Sequence, residues 1–399
     1  MTKLLVVASS LDLRAPLSST PSWWQLLKAL AEQGVELVVA PYQGPAIESP
    51  WWTAAANPCQ REGDTVGWIK RLAPARRAAS AAQDPVSDRL ARSLVERVTK
   101  PRWRKHLYNL VEVHRDFDAL LFLTVPPNHF GSIPTGIDKK FGLPTYLHDG
   151  DVPASLPRFA GFRTGFRIYQ GADLSEYAGV FSSSKGGVED LVRLGARNVR
   201  VLYYGADPAL FAHPPVDQDI DVFFYGHGSE YREEWIAMML AAPSRQLQGA
   251  RFAVRGTRLG LMPRVEQLPY ASFSKLSEYC SRSRINLLIT RQAHASVYAS
   301  STARPFELAA LGCAMVSNPY LGVEEWFEPG REILTVNNTH EAIETYRALL
   351  NDAATRRELG ANARKRLVER HTYQHRAKEL LAALSGSQFR PMVTEGVVR

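Results

Sequence analysis

Short apolar runs alternating with amphipathic stretches restrict what this chain can fold into, because the alternation occurs in two successive series. The first has strand candidates at Leu4 to Ala8, Glu36 to Ala40, Ala119 to Leu123, Pro144 to Leu147, Val180 to Ser182 and Val199 to Tyr203. A helix over Ser22 to Gln33, ended by Gly34, follows its first strand. The second has strands at Asp221 to Tyr225, Arg251 to Val254, Ile285 to Ile289, Ala314 to Ser317 and Ile333 to Val336. Helices near Glu230 to Leu240, Ser272 to Ser283 and Arg304 to Leu311 separate them. Apolar strands between helices imply parallel sheets covered on both faces, so the expected class is α/β with two doubly wound domains.

Between the series, the turn from Tyr204 to Pro215 and the acidic stretch Asp217 to Asp221 read as a linker. The domains are therefore expected at 1–212 and 213–370, with 371–399 as a terminal helix and a frayed tail. After Val336 the pattern is helical, over His340 to Asn351 and Thr355 to Leu384, with a break near His371-Thr372-Tyr373. The stretch Tyr42 to Gln83, rich in Pro, Ala and Trp, has no period and reads as an irregular excursion.

No apolar run approaches the ~20 residues needed to span a bilayer, and Met1-Thr2-Lys3 leads straight into a strand rather than a signal peptide. Cys59, Cys280 and Cys313 are too few and scattered for a disulfide framework or a zinc site, which favours a cytoplasmic setting. The formal net charge of +8 is densest from Arg97 to His106. The preferred reading of that patch is a solvated helix pair flanking Pro101; the alternative lays it and Trp103 peripherally against the inner membrane face, where a lipid-linked acceptor would lie. Nucleic acid is not the expected partner.

The densest chemistry lies in Ser300-Ser301-Thr302-Ala303-Arg304-Pro305-Phe306-Glu307 and the stretch that follows to Ser317. A hydroxyl-rich loop opening a helix offers free backbone N–H groups and the helix dipole to an anion, here a diphosphate. Arg304 adds a fixed charge, and Glu307, one turn on, offers two acceptor oxygens to a pair of ribose hydroxyls. Such a mouth suits a sugar nucleotide.

This run resembles the donor motif of the group 1, retaining glycosyltransferases of GT-B fold, particularly the branch similar to spore-maturation glycosyltransferases, whose motif is Arg-x-Phe-Glu with small residues and a glycine. Tyr204-Gly205-Ala206-Asp207 with Phe211 is similar to the family's hinge. The wider family has a further glutamate eight positions before Glu307, where this chain has Ala299. The resemblance implies two Rossmann-like domains, an acceptor on the first and a donor on the second, with C-terminal helices crossing back to the first. It implies a retaining, hexosyltransferase-like enzyme of glycan or glycoconjugate biosynthesis, acting without metal or other cofactor on a nucleoside-diphosphate sugar. The acceptor stays open between small molecule, glycan and lipid-linked compound.

By the same resemblance Arg232, beside the glycines Gly226 and Gly228, and Arg304 stabilise the leaving diphosphate, with Ser300, Ser301 and Thr302. Arg255, at a strand end, is a donor-side candidate near where the family holds the base. His148 is expected to line the cleft beside the transferred sugar. Asp149 and Asp151 are acceptor-side or structural; an Asp-x-Asp metal site is rejected, because the strand–helix series occurs twice and the Arg-Pro-Phe-Glu motif comes so late. Ser18-Ser19-Thr20 holds the place of an acceptor loop but lacks glycine, and Ser22 reads as a helix cap. His371 and His375 stand four apart without a third ligand, so they are read as surface histidines. Two rivals are a sugar-nucleotide epimerase on this architecture and a basic nucleic-acid or membrane-surface binder with a vestigial donor site.

Overall fold

Strand β1 (Lys3–Ala8) is buried on both sides: Leu5 and Val7 enter one apolar cluster, while Leu4, Val6 and Ala8 enter another. Successive side chains of a strand point to opposite faces, so two covered faces require the unbroken apolar run. The computed structural model describes residues 2–11, 21–61, 92–159, 167–211, 216–228, 232–269 and 272–386. The Ser18 to Thr20 loop, the end of the linker, much of the excursion and the tail beyond Gly386 lie outside the described residues.

The first sheet also contains β2 (Glu36–Pro41), β3 (Thr53–Ala54), β4 (Ala119–Leu123), β5 (Thr145–Asp149), β6 (Gly179–Ser182) and β7 (Val199–Val201). Its order is β3-β2-β1-β4-β5-β6-β7. The second contains β8 (Ile220–His227), β9 (Phe252–Thr257), β10 (Val265–Gln267), β11 (Ser283–Leu288), β12 (Met315–Ser317) and β13 (Leu334–Thr335), in the order β10-β9-β8-β11-β12-β13. All pairings in both sheets are parallel. The expected pair of doubly wound sheets is present. The edge strands β3 and β10 escaped the sequence, being only two and three residues long.

The terminal helices cross between the halves. The Ala353–Arg370 helix packs on the second domain through Ala363 and Leu367. The chain then breaks at His371, and the Tyr373–Leu384 helix packs through Tyr373, Ala377 and Leu380 into the first domain's core. Thr372 caps this last helix, its side chain accepting from His375 N while the His375 ring faces the Thr372 backbone.

The basic patch is not a helix pair. The helix runs unbroken from 92 to 113 with a wide π turn at Val95–Thr99 just before Pro101, and a second π turn, Ala237–Ala241, precedes Pro243. Proline lacks an N–H and its ring crowds the carbonyl four residues back, so one widened turn lets each helix pass through it. Trp103 is fully buried against Tyr42 and Phe130, which removes it from any membrane-facing surface. Among the described residues, no helix is long and apolar enough to cross a membrane.

Candidate donor site

Parallel strands collect ligands at their carboxyl ends, and there, between the two sheets, lies a cavity of about 240 Å³. The second domain lines it with Tyr225, Arg232, Thr290, Arg291, His294, Thr302, Arg304 and Glu307; Gly150 and Tyr204 close it from the first. The Ala303–Ala310 helix starts at its wall, and Thr302 makes no side-chain cap, so the first-turn amides keep their donors for a ligand.

Arg304 is held rather than mobile. Its Nη1 donates to the Ile289 carbonyl at 3.1 Å, and the guanidinium lies 4.7 Å from the Tyr225 ring centroid. Arg232 meets the same carbonyl, Nε to Ile289 O at 3.2 Å. Two guanidiniums converging on one carbonyl make a fixed cationic wall. Gly226, at φ 150°, is what admits it: a Cβ there would lie 2.8 Å from Arg304 Nη2. Gly228 instead allows backbone packing, since its Cβ would meet the Arg258 carbonyl at 2.0 Å. Neither glycine lines the cavity, and neither does Arg255, which is buried opposite Tyr225 across β8 and β9.

The hydroxyl loop is arranged differently from the sequence reading. Ser300 and Ser301 are fully buried and join the two domains: Ser300 Oγ lies 2.7 Å from Ser184 Oγ, while Ser301 Oγ donates to Ser183 O and accepts from Tyr204 N. Their hydroxyls are engaged by protein, and only Thr302 of the three reaches the cavity. Ala299, fully buried at φ 46°, lies against Gly322 and has no room for the glutamate that the wider family carries.

Glu307 Oε2 accepts from the Tyr225 hydroxyl at 2.9 Å. Burial raises the Glu307 pKa, and the Tyr225 bond and the Arg304 charge work against that rise.

His148 is not brought into this cavity. It lines a narrow cleft of about 20 Å³ with Ser22, Thr124 and Arg376, and Tyr204 forms the partition, facing both spaces. His148 Nδ1 is buried without a hydrogen-bond partner, and burial lowers its pKa to about 4, so the ring is neutral at physiological pH. Asp149 is structural in its contacts, accepting from Ser155 Oγ, Tyr169 Oη and Asp151 N. Asp151 pairs across the domains with Arg291, Oδ1 to Nη2 at 2.9 Å. Both aspartates border a second cavity of about 230 Å³ on the first domain, with Tyr42, Thr124 and Ile168. No group of three His, Cys, Asp or Glu suited to a metal ion occurs among the described residues. His371 is buried beside Arg376, not on the surface.

The sequence reading missed Thr290, Arg291 and His294. Their signal was position: they follow β11 directly, on the ligand edge of the sheet. Three polar atoms of this cavity's lining residues are buried with no hydrogen-bond partner in the protein: Arg304 Nε, Thr290 Oγ1 and His294 Nδ1. Buried polar atoms are rarely left so, and these three belong to side chains that line one cavity.

Residues 232–382 match a family profile described as glycosyl transferase-like. None of the curated proteins matches the chain significantly. Among solved structures, a sucrose-phosphate synthase from Thermosynechococcus elongatus is 14% identical and superposes with TM-score 0.66, covering 97% of this chain and 99% of that one. HepE of Anabaena, in complex with UDP and glucose, is 13% identical with TM-score 0.61, covering 96% and 100%. A trehalose-6-phosphate structure from E. coli, bound with UDP-2-fluoro glucose, is 13% identical with TM-score 0.63, covering 96% and 99%. The profile falls on the domain that carries Arg232, Arg304 and Glu307, and the two-domain fold of these structures agrees with this chain from end to end.

Proposed function

We propose that the protein transfers a sugar from a nucleoside-diphosphate donor to an acceptor hydroxyl, with retention of anomeric configuration and without a metal or other cofactor. The observation that carries this is the convergence of Arg232, Arg304 and the uncapped start of the Ala303–Ala310 helix on one cavity. The diphosphate lies against the two guanidiniums and the helix amides, which stabilise the charge that grows as the glycosidic bond breaks. Fixed guanidiniums do the charge work here that a divalent cation would otherwise do.

Glu307 Oε1 and Oε2 receive the ribose hydroxyls, with Tyr225 holding the carboxylate in place. The acceptor occupies the first-domain cavity beside Asp149 and Asp151. Retention follows from the family resemblance. HepE is also seen in complex with UDP-glucose, which supports uridine diphosphate sugars as the first donors to try. A cytoplasmic setting is supported by three buried free thiols, and for a lipid-linked acceptor the exposed Arg102, Arg104 and Lys105 form the membrane-facing candidate.

The test is thermal-shift screening with uridine, guanosine, thymidine and adenosine diphosphate sugars, followed by product analysis with and without chelator. Stabilisation by one donor, chelator-insensitive release of its diphosphate and retained configuration in the product are expected. Interconversion of the donor sugar without acceptor would instead establish the epimerase reading.

A further inference from the structure

A cavity of about 580 Å³ in the second domain lies at the wrong end of its sheet for the donor. Ser283, which begins β11, and Ala314, which precedes β12, line it, whereas Thr290 and Arg291 beyond the far end of β11 line the donor cavity. A six-residue strand separates the two spaces by roughly 20 Å. Arg284, Arg356, Arg357 and Arg364 surround the space, with Phe211 and Leu311 as its apolar floor.

Three of these arginines are fixed through one nitrogen. Arg284 Nη1 donates to Asp221 Oδ1 at 2.7 Å, Arg356 Nη1 donates to the Leu349 and Leu350 carbonyls, and Arg364 Nη1 donates to the Ala310 carbonyl. These bonds end two helices and set the guanidinium planes. Only the bond to Asp221 balances a charge. The Ala353–Arg370 helix begins at the cavity; Asp352 caps its first amides, and Arg356 and Arg357, its fourth and fifth residues, carry the sign that the helix dipole disfavours. Of the carboxylates that act on Arg356, Asp221 is paired with Arg284 and Asp352 caps the helix amides. Burial, then repulsion from Arg284 and Arg357, lowers the Arg356 pKa despite both of them.

We propose that this cavity is an anion site, separate from the donor site, for a phosphorylated small molecule. Its phosphate lies among Arg284, Arg356, Arg357 and Arg364, and its organic part lies on Phe211 and Leu311. Forked guanidiniums match phosphate oxygens, and the concave, partly apolar space suits a compact ligand rather than a polymer.

Calorimetric titration of the full chain with inorganic pyrophosphate at constant ionic strength tests this. The Arg304→Ala variant weakens the donor cavity's share, and the response to the charge at 357 assigns the binding that remains. In that background one equivalent is expected to bind still, Arg357→Glu should weaken it by at least about tenfold, and Arg357→Lys should stay within about threefold. Arg357 is exposed, so folding is expected to survive, as circular dichroism would show; if Arg357→Glu does not fold, Arg357→Gln is read by the same criterion. Absence of pyrophosphate binding in Arg304→Ala, or binding indifferent to the charge at 357, would overturn the proposal.

Discussion

Arg291 and Asp151 form an ion pair between the domains, Nη2 to Oδ1 at 2.9 Å, Arg291 lining the cavity of Arg232 and Arg304 and Asp151 the cavity on the first domain. The pair is only partly buried, so its worth is at most about 1 kcal/mol, a fivefold bias between closed and open forms. Asp151→Asn is expected to raise the radius of gyration in small-angle scattering and to raise the donor KM severalfold. Unchanged scattering would show that the serine contacts between Ser183, Ser184, Ser300 and Ser301 hold the domains without it.

Arg304→Ala and Arg232→Ala each remove one fixed donor from the leaving diphosphate. Such losses cost roughly 3 kcal/mol of barrier, so kcat should fall by about a hundredfold or more, with circular dichroism preserved. A purified variant that turns over normally would take that arginine out of the site.

Glu307 sets stability against function. Burial disfavours its ionised form, so Glu307→Gln should leave the melting temperature equal or higher while weakening donor affinity. In the wild type, donor binding should fail on the acid side at a pH above the ordinary carboxylate range, because the carboxylate is lost as pH falls through its raised pKa. A donor dissociation constant unchanged by the substitution would contradict this.

Buried histidines make the fold acid-sensitive. Burial lowers the pKa of His129 and His148 to about 4, of His371 to about 3, and of His294 well below its usual value. The unfolded chain takes up protons on these rings near pH ~6.5 while the folded chain does not. Stability should therefore fall as pH drops from 7 toward 5, with buried Asp149 and Glu307 working in the opposite direction as they protonate. Melting curves at stepped pH should show this fall, shallower in His294→Asn. A melting temperature that rises over that interval would rule it out.

Ala299→Glu restores the residue that the wider family carries at this place, but into a site with no exposure and a left-handed backbone. An unpaired buried carboxylate costs several kcal/mol, so this variant should be poorly soluble or melt far below the wild type. A stable Ala299→Glu protein with faster turnover would mean that the loop repacks readily.

The strands were legible wherever both faces of a sheet are covered, as at Ala119 to Leu123, because an apolar run of that length has few other uses. The charged wall was legible for the same kind of reason: Arg304 and Glu307 stand one turn apart on an amphipathic helix and necessarily share a face. The roles of Ser300 and Ser301 were not, since a hydroxyl reads alike whether it meets a phosphate or a serine of the opposite domain. Trp103 misled because its basic neighbours in sequence are exposed while its own face of the helix is buried. His148 depends on Tyr204, a partition that comes from another part of the chain.

The most direct test of the donor site is a crystal structure after soaking with uridine, guanosine, thymidine and adenosine diphosphate sugars in turn. The diphosphate of one of them is expected against Arg232, Arg304 and the first amides of the Ala303–Ala310 helix, with its ribose on Glu307. A nucleotide bound elsewhere, or a cavity that takes none of the four, would contradict the account.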